Sequence, residues 1–367
     1  MQPLHGVKIL DFSTLLPGPM CTLLLADAGA DVIKIERPEG DDMRAYPPKL
    51  GEDSVNFSLL NRGKKSIIAN LKDPITREKI EALIREADVI VEQFRPGVMD
   101  RLGLGFEQVH ALNPKLVYCS ITGFGQTGPY AQIAAHDMNY QAKTGMVGLG
   151  AGADGAPQVP PVLVADLAAG AYPAVMNILL GLRQRDLTGL GCHLDVSMAD
   201  NLFPLMYWGL GHGWAANQWP KAGDELLTGG SPRYQIYQTS DLKYLSAAPL
   251  EDKFWKRFLE LIGAPELIDL DQPALVKASI ARIIAAHPAA HWVKLFEGQD
   301  VCVAEIVTLE QATQDPHFQE RGVFKRQLKT SNGKVLSALP TPLCSPFLSP
   351  DTMATSPRLG QHTDDHL

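Results

Sequence analysis

"GVKILDF" at residues 6–12 is an apolar run of strand length. "STLLPGP" turns the chain, "MCTLLLADAG" has the length of a helix, and "DVIKIE" (31–36) reads as a second strand. Strand, helix and strand within about thirty residues make a βαβ unit. Two parallel strands cannot be joined by a tight turn, so the intervening helix must cross one face of the sheet. Pro19 is tolerated in that helix's first turn, and Gly29 falls just past its end. A parallel sheet therefore begins at the N-terminus, and such sheets need cover on both faces.

The alternation continues. "KSIIANL" is a strand, "DPITREKIEALIREA" a helix with Asp73 ahead of Pro74, "DVIVEQF" a strand and "LVYCSITGFG" (116–125) another. "AGAYPAVMNILLGLRQRDLTG" (169–189) predicts a long helix that Pro173 distorts unless it lies in the first turn. "HLDVSMADNLF" reads as one more strand leading into helix. After about residue 200 the texture changes. The Gly- and Trp-rich stretch 207–232 has no clear period and reads as a crossing segment. "RYQIYQTSDLKYLSAAP" predicts a hairpin, and "LEDKFWKRFLELIG" opens a helical region to about residue 320. "GVFKRQLKTSNGKVLSALPTPLCSP" is strand-like. The expected architecture is α/β: a Rossmann-like large domain starting at 1–200, a linker over 201–228, a smaller α+β domain over 229–320, and a tail, 321–367, returning to complete the large domain.

With 367 residues the chain has room for two domains. Its net charge of −8 argues against nucleic acid as a partner, so an anionic ligand must be held by a local basic patch. The five cysteines are widely spaced and form no C-x-x-C, which predicts reduced thiols in a cytoplasmic setting. The start "MQPLHGVKILDF" lacks the pattern of a signal peptide, and no run approaches the ~18 apolar residues of a membrane span, so no membrane association is expected. "GAGADG" (150–155) matches G-x-G-x-x-G, but "APQVPP" follows, so no helix can start there and the stretch reads as a surface loop. There is no phosphate-loop, H-E-x-x-H or G-x-S-x-G motif, and no metal site is expected.

Basic residues gather at strand boundaries: Arg37 after "DVIKIE", then Arg62, Lys64 and Lys65 beside the neutral Asn61 in "NRGKKS", Arg95 in "QFRPG" and Arg101 in "MDRLG". They are either scattered solvated charges or the lining of a groove for a phosphate-bearing ligand. "AAHDMNYQAKTG" (134–145) sets His136 beside Asp137, and "VPPVLVADLAAG" sets Asp166 between an apolar run and small residues. These are two solvated loops, a helix cap at Asp166 among them, or two bases facing one substrate.

"GVKILDFSTLLPGPMCTLLLADAGADVIKIERP", "NRGKKSIIANLK", "VEQFRPGVMDRLGLG", "NPKLVYCSITGFGQTGP" and "ADLAAG", in this order, resemble the family III CoA-transferases and α-methylacyl-CoA racemases. The resemblance runs through most of residues 3–202 and extends more weakly through "TGGSP", "PLEDKFW" and "LGQHTDDHL". It implies a ring-shaped subunit in an interlocked homodimer and an acyl-CoA substrate, with no cofactor beyond the CoA that the substrate carries. It also implies CoA contacts from Arg37, Asn61, Arg62, Lys64, Arg95 and Arg101, with the "STLLPGP" backbone, including Leu15 and Gly18, close to the ligand.

The residue matched by Asp166 has two roles in that superfamily. In the transferases it attacks the acyl-CoA thioester. In the racemases it is one base and a histidine is the other. "HDMNY" (136–140) resembles the racemase pattern, which implies proton exchange between His136 and Asp166 with the Asp137 amide on the enolate oxygen. Glu251 in "PLEDKFW" matches a racemase glutamate, and could equally be a first-turn helix residue. "LAAGAY", the "LGQHTDDHL" tail and the short "TGGSP" loop lean towards the transferase branch. Racemization of a 2-methyl-branched or similar acyl-CoA is the leading expectation. CoA transfer between carboxylic acids is the alternative, and a non-catalytic acyl-CoA-binding protein a third. Met206, Tyr207 and Trp208 are expected at the acyl pocket.

Overall fold

The computed structural model describes residues 1–152 and 154–367. Ala153, inside the expected 150–155 loop, lies outside the described residues. Six parallel strands form the main sheet: β1 (Lys8–Asp11), β2 (Asp31–Glu36), β5 (Lys65–Ile68), β6 (Val89–Glu92), β7 (Val117–Thr122) and β8 (His193–Ser197). Between β2 and β5 a small hairpin pairs β3 (Lys49–Leu50) with β4 (Asp53–Ser54). The order across the main sheet is β5-β2-β1-β6-β7-β8. Taken in chain order, these six run third, second, first, fourth, fifth, sixth, which is the doubly wound Rossmann arrangement.

The strands read as near-continuous apolar runs because both faces are covered: every residue of β6 and β7 is buried. One face packs Leu10, Ile33, Ile67, Ile90 and Tyr118 against Ile80, Ile84 and Val109 of the helices Pro74–Glu86 and Phe106–Leu112. On that first helix Asp73 caps the N-terminus by accepting the Thr76 amide, and Pro74 fills the first position, where its missing N–H costs nothing. The helix Pro17–Asp27 packs against the segment Ala165–Ala171, which is π-helical and runs directly into the α-helix Tyr172–Thr188. Pro173 sits in the first turn of that α-helix, and Gly189 ends it at φ 78°. Ala165–Thr188 as a whole is long and apolar enough to cross a membrane by length and composition; Ala165, Ala169, Ala174, Ile178 and Leu182 are buried within the protein.

The chain divides into two compact units. The first comprises Met1–Thr144, Pro160–Leu205 and Pro316–Leu367, and holds the parallel sheet. The second comprises Gly145–Val159 and Met206–Asp315. Its hairpin, β9 (Gln235–Gln238) and β10 (Tyr244–Ala247), is where the sequence predicts one, and β11 (Val303–Glu305) adds an antiparallel third strand. Trp255, Phe258, Ile280 and Trp292 pack with Tyr237 and Leu245 in a separate core. Two elements differ from expectation. The stretch 207–232, read as aperiodic, contains the helix Tyr207–Ala216, and β11 interrupts the region read as helical to residue 320. In the first unit, β12 (Gln327–Lys329) pairs with β13 (Val335–Ser337) and β14 (Met353–Thr355).

Candidate functional site

In a doubly wound sheet the chain leaves the first and fourth strands in opposite directions, which opens a crevice at their carboxyl ends. Here those strands are β1 and β6. A cleft of about 380 Å³ lies there, lined by Leu15 and Leu16 after β1, by Gln93, Phe94 and Arg95 after β6, and by Thr122, Gly123 and Phe124 at the end of β7. The same cleft is lined by His136, Asn139, Tyr140 and Asp166.

The loop after β1 is held tightly. Gly18 donates its amide to Gln93 Oε1 (3.0 Å), and a Cβ on Gly18 would fall 2.1 Å from Ser13 Cβ and 2.6 Å from Gln93 Oε1. Only glycine lets the two loops approach this closely. Beneath lies a buried polar network. Lys64 Nζ reaches Asp11, Thr22, Asn61 and the Pro19 carbonyl. Burial alone would push the Asp11 carboxyl up, but Lys64, Lys34 and two hydroxyl donors hold it at about 2. Burial pulls the Lys64 ammonium down to about 8.

His136 is the cap of the helix Asp137–Lys143, its amide donating to Asn139 Oδ1 (3.0 Å), while its side chain is exposed to the cleft. Tyr140 donates its hydroxyl to the Ala135 carbonyl (2.8 Å), pinning the residue ahead of His136. Asp137 is buried. Its Oδ2 accepts from Gln141 (2.5 Å), and its Oδ1 accepts the backbone amide of Asp166 (2.9 Å). That last bond ties the two motifs together. Asp166 sits in the first turn of the π-helical segment, a local widening frequent at functional sites. Burial, and then the negative charge of Asp137, push the Asp166 carboxyl up to about 7. A carboxyl there is divided between its two forms at neutral pH, which suits proton transfer in either direction. The Asp137 amide is in the first turn of its helix, where backbone N–H groups lack intrahelical acceptors.

Of the residues singled out in the sequence, His136, Asp166, Leu15 and Arg95 share this cleft, with Gly18 and Asp137 directly behind its wall. Arg37 lines a neighbouring cavity of about 320 Å³ with Asn70, Leu71 and Lys72, and Phe94 borders both cavities. Arg37 is exposed and bonded to Asp42 and the Gly40 carbonyl. Arg101 is exposed at the end of the helix Val98–Arg101. Asn61, Arg62 and Lys64 line neither of these two cavities: all three are buried. Arg62 holds Asp27 (2.8 Å) and the carbonyls of Leu59 and Leu339, and Asn61 donates to the Phe57 carbonyl. Glu251 stands just ahead of the helix Asp252–Leu261 in the second unit, its side chain making no capping hydrogen bond; Met206, Tyr207 and Trp208 also lie in that unit. Gln93, Phe94 and Lys72 were not foreseen; a position shortly after a strand end was their one signal. Tyr140 stood in the sequence only as the last residue of "HDMNY", with no role of its own.

A family model described as CoA-transferase family III matches residues 4–363. The chain is 31% identical over 370 residues to the alpha-methylacyl-CoA racemase of Homo sapiens, covering 99% of this chain and 92% of that enzyme. It is 36% identical over 338 residues to the acetyl-CoA:oxalate CoA-transferase of Acetobacter aceti, covering 88% and 85%. Among solved structures, a CAIB/BAIF family protein from Brucella suis matches with a TM-score of 0.84 at 31% identity, covering 99% of this chain and 98% of that one.

Proposed function

This chain belongs to CoA-transferase family III, and from that premise we propose that it is an acyl-CoA racemase exchanging the α-proton of a 2-methyl-branched or related acyl-CoA. The observation that carries the reading is His136 and Asp166 lining one cleft, with Asp166 at about 7. One base removes the α-proton, and the electron pair delocalises into the thioester carbonyl as an enolate. The conjugate acid of the other base returns a proton to the opposite face. Two groups are needed because a planar enolate inverts only if removal and delivery come from different sides. Positioned proton transfer contributes ~10²–10⁴-fold. The Asp137 amide supplies a donor for the enolate oxygen, a kind of contact worth ~3–4 kcal/mol.

The CoA moiety is assigned to the carboxyl ends of β1, β2 and β6. Leu15 and Gly18 provide the close-approach backbone, while Arg37, Lys72, Arg95 and Arg101 provide exposed cations for phosphate oxygens. The exposed Arg37–Asp42 pair is a weak competitor for such a ligand. Incubation with a 2-methylacyl-CoA in D₂O, without any acceptor acid, should place deuterium at the α-carbon and scramble its configuration.

A second reading, CoA transfer between carboxylic acids with Asp166 as nucleophile, is favoured by the 36% identity to a CoA-transferase. It calls for an acceptor acid and an aspartyl–acyl anhydride that hydroxylamine traps at Asp166. Trapping, with no deuterium incorporated, would replace the first reading by the second.

A further inference from the structure

We propose that Asp41 and Lys34 are a positioning pair that holds Leu15 in a left-handed conformation and thereby sets the affinity of the cleft for the CoA part of its ligand. The inference rests on the reading that this cleft takes an acyl-CoA, whichever reaction follows.

Leu15 has φ 60°, a conformation that L-residues with bulky side chains rarely adopt and that persists only when the surroundings enforce it. What enforces it is visible. Both carboxylate oxygens of Asp41 accept the Leu15 amide, at 3.1 and 3.3 Å. Asp41 Oδ1 also accepts the Met43 amide (2.9 Å), which anchors the carboxylate to the turn Asp42–Ala45. Lys34 Nζ lies 3.0 Å from Asp41 Oδ2 and donates to the Ser13 carbonyl at 2.8 Å. The pair therefore grips the loop at two points, Ser13 and Leu15, from below. Both side chains are fully buried, so neither charge serves solubility; neither lines the main cleft, and Asp41 borders the neighbouring cavity beside Arg37.

A device whose only task was to neutralise Lys34 would not need Asp41. Asp11 and Glu36 also act on that ammonium and raise its pKa, although burial opposes them. What Asp41 adds is directional: an acceptor aimed at one strained amide. If the strained form falls to about a tenth of the population, the apparent Kd rises about tenfold, because only that form presents the cleft wall in its binding shape.

The test is binding of free CoA by calorimetry, with amide exchange at Leu15 followed in parallel. Asp41→Ala should weaken CoA about tenfold, and D41N less, since its amide oxygen still accepts. In the Asp41→Ala background, Leu15→Gly should restore most of the affinity, because glycine adopts positive φ without strain. Melting temperature should recover less than affinity, since the glycine also loosens the unfolded chain and so offsets part of the strain it relieves. The Leu15 amide should exchange slowly in the unaltered protein. Loss of affinity in Asp41→Ala that Leu15→Gly does not recover would overturn the proposal, as would a Leu15 amide that exchanges like an exposed loop. That second measurement needs no variant to fold. It also separates the two ideas: a protein that binds no CoA but protects Leu15 would refute the acyl-CoA reading and leave the clamp standing.

Discussion

Asp166 is held with its proton at pH values where an exposed aspartate has lost it, and this has a cost in stability. Its ordinary value is 3.8 and its value in the fold is about 7, so between these the folded chain binds more protons than the unfolded one. The sign follows. The stabilising contribution is complete below about pH 4 and is lost as pH rises through 7. Asp166→Asn cannot titrate, so its stability relative to the parent should grow with pH over this window and then level off. Each unit is about 1.4 kcal/mol. Because the side chain is only partly buried, a gain on the order of 2 kcal/mol at pH 8 is a fair expectation after solvent screening. Urea melts of both proteins at pH 4.5 and pH 8 check it; a constant difference would mean that Asp166 is an ordinary solvated carboxylate. The same variant, and His136→Ala, should each lower α-proton exchange by about 10²-fold or more while leaving CoA affinity within about twofold. A His136→Ala protein exchanging at the parent's rate would remove the histidine from the reaction.

At the scale of elements, the end of β7 and the helix Asp137–Lys143 form one unit of geometry. A Cβ on Gly123 would lie 2.3 Å from the Tyr140 ring, and Tyr140 in turn holds the Ala135 carbonyl that precedes His136. Gly123→Ala should therefore displace the histidine: kcat for α-proton exchange should fall at least tenfold, with a loss of stability of about 1–3 kcal/mol from overpacking. Steady-state kinetics beside thermal melts would show it, and an unchanged kcat would mean that Tyr140 can swing away without moving His136. What was legible beforehand divides along the same lines. β1, β2, β6 and β7 were readable because strands buried on both faces are continuous apolar runs, and the β9–β10 hairpin because two strand-like runs flank a polar turn. The helix Tyr207–Ala216 was hidden. "YWGLGHGWAA" carries three glycines and apolar or aromatic residues all round, so no 3.6-residue period emerges. Three-residue β11 is too short for any alternation to show. His136, Asp166 and Leu15 were singled out in the sequence and line one cleft, whereas the strain at Leu15 and its support by Asp41 had no local signal. Charged residues in a sequence look solvated until the fold brings their partners around them.

That misreading is clearest across the whole chain. Arg62, read as a ligand for phosphate, is instead where distant parts of the first unit meet. Its guanidinium holds Asp27 at the end of the helix Pro17–Asp27 and the carbonyl of Leu339, and Thr341 donates to the same Asp27 oxygen at 2.9 Å. Farther along, His362 Nδ1 accepts the Ser66 amide, and Gly360 donates to the Ser66 hydroxyl, so residues 339–363 close back onto β5 and its approach. None of this could be seen locally: Asp27 lies 35 residues from Arg62, and these contacts of residues 339–363 span 277 to 314 residues. Removing one member of a buried, hydrogen-bonded pair leaves the other charge uncompensated, at a typical cost of about 3–5 kcal/mol. Arg62→Met should accordingly lose stability of that order in urea, whereas its affinity for CoA, measured on the fraction that remains folded, should stay within about twofold of the parent. The converse result, a stable protein with CoA binding abolished, would return Arg62 to the ligand and require the buried arrangement to open on binding.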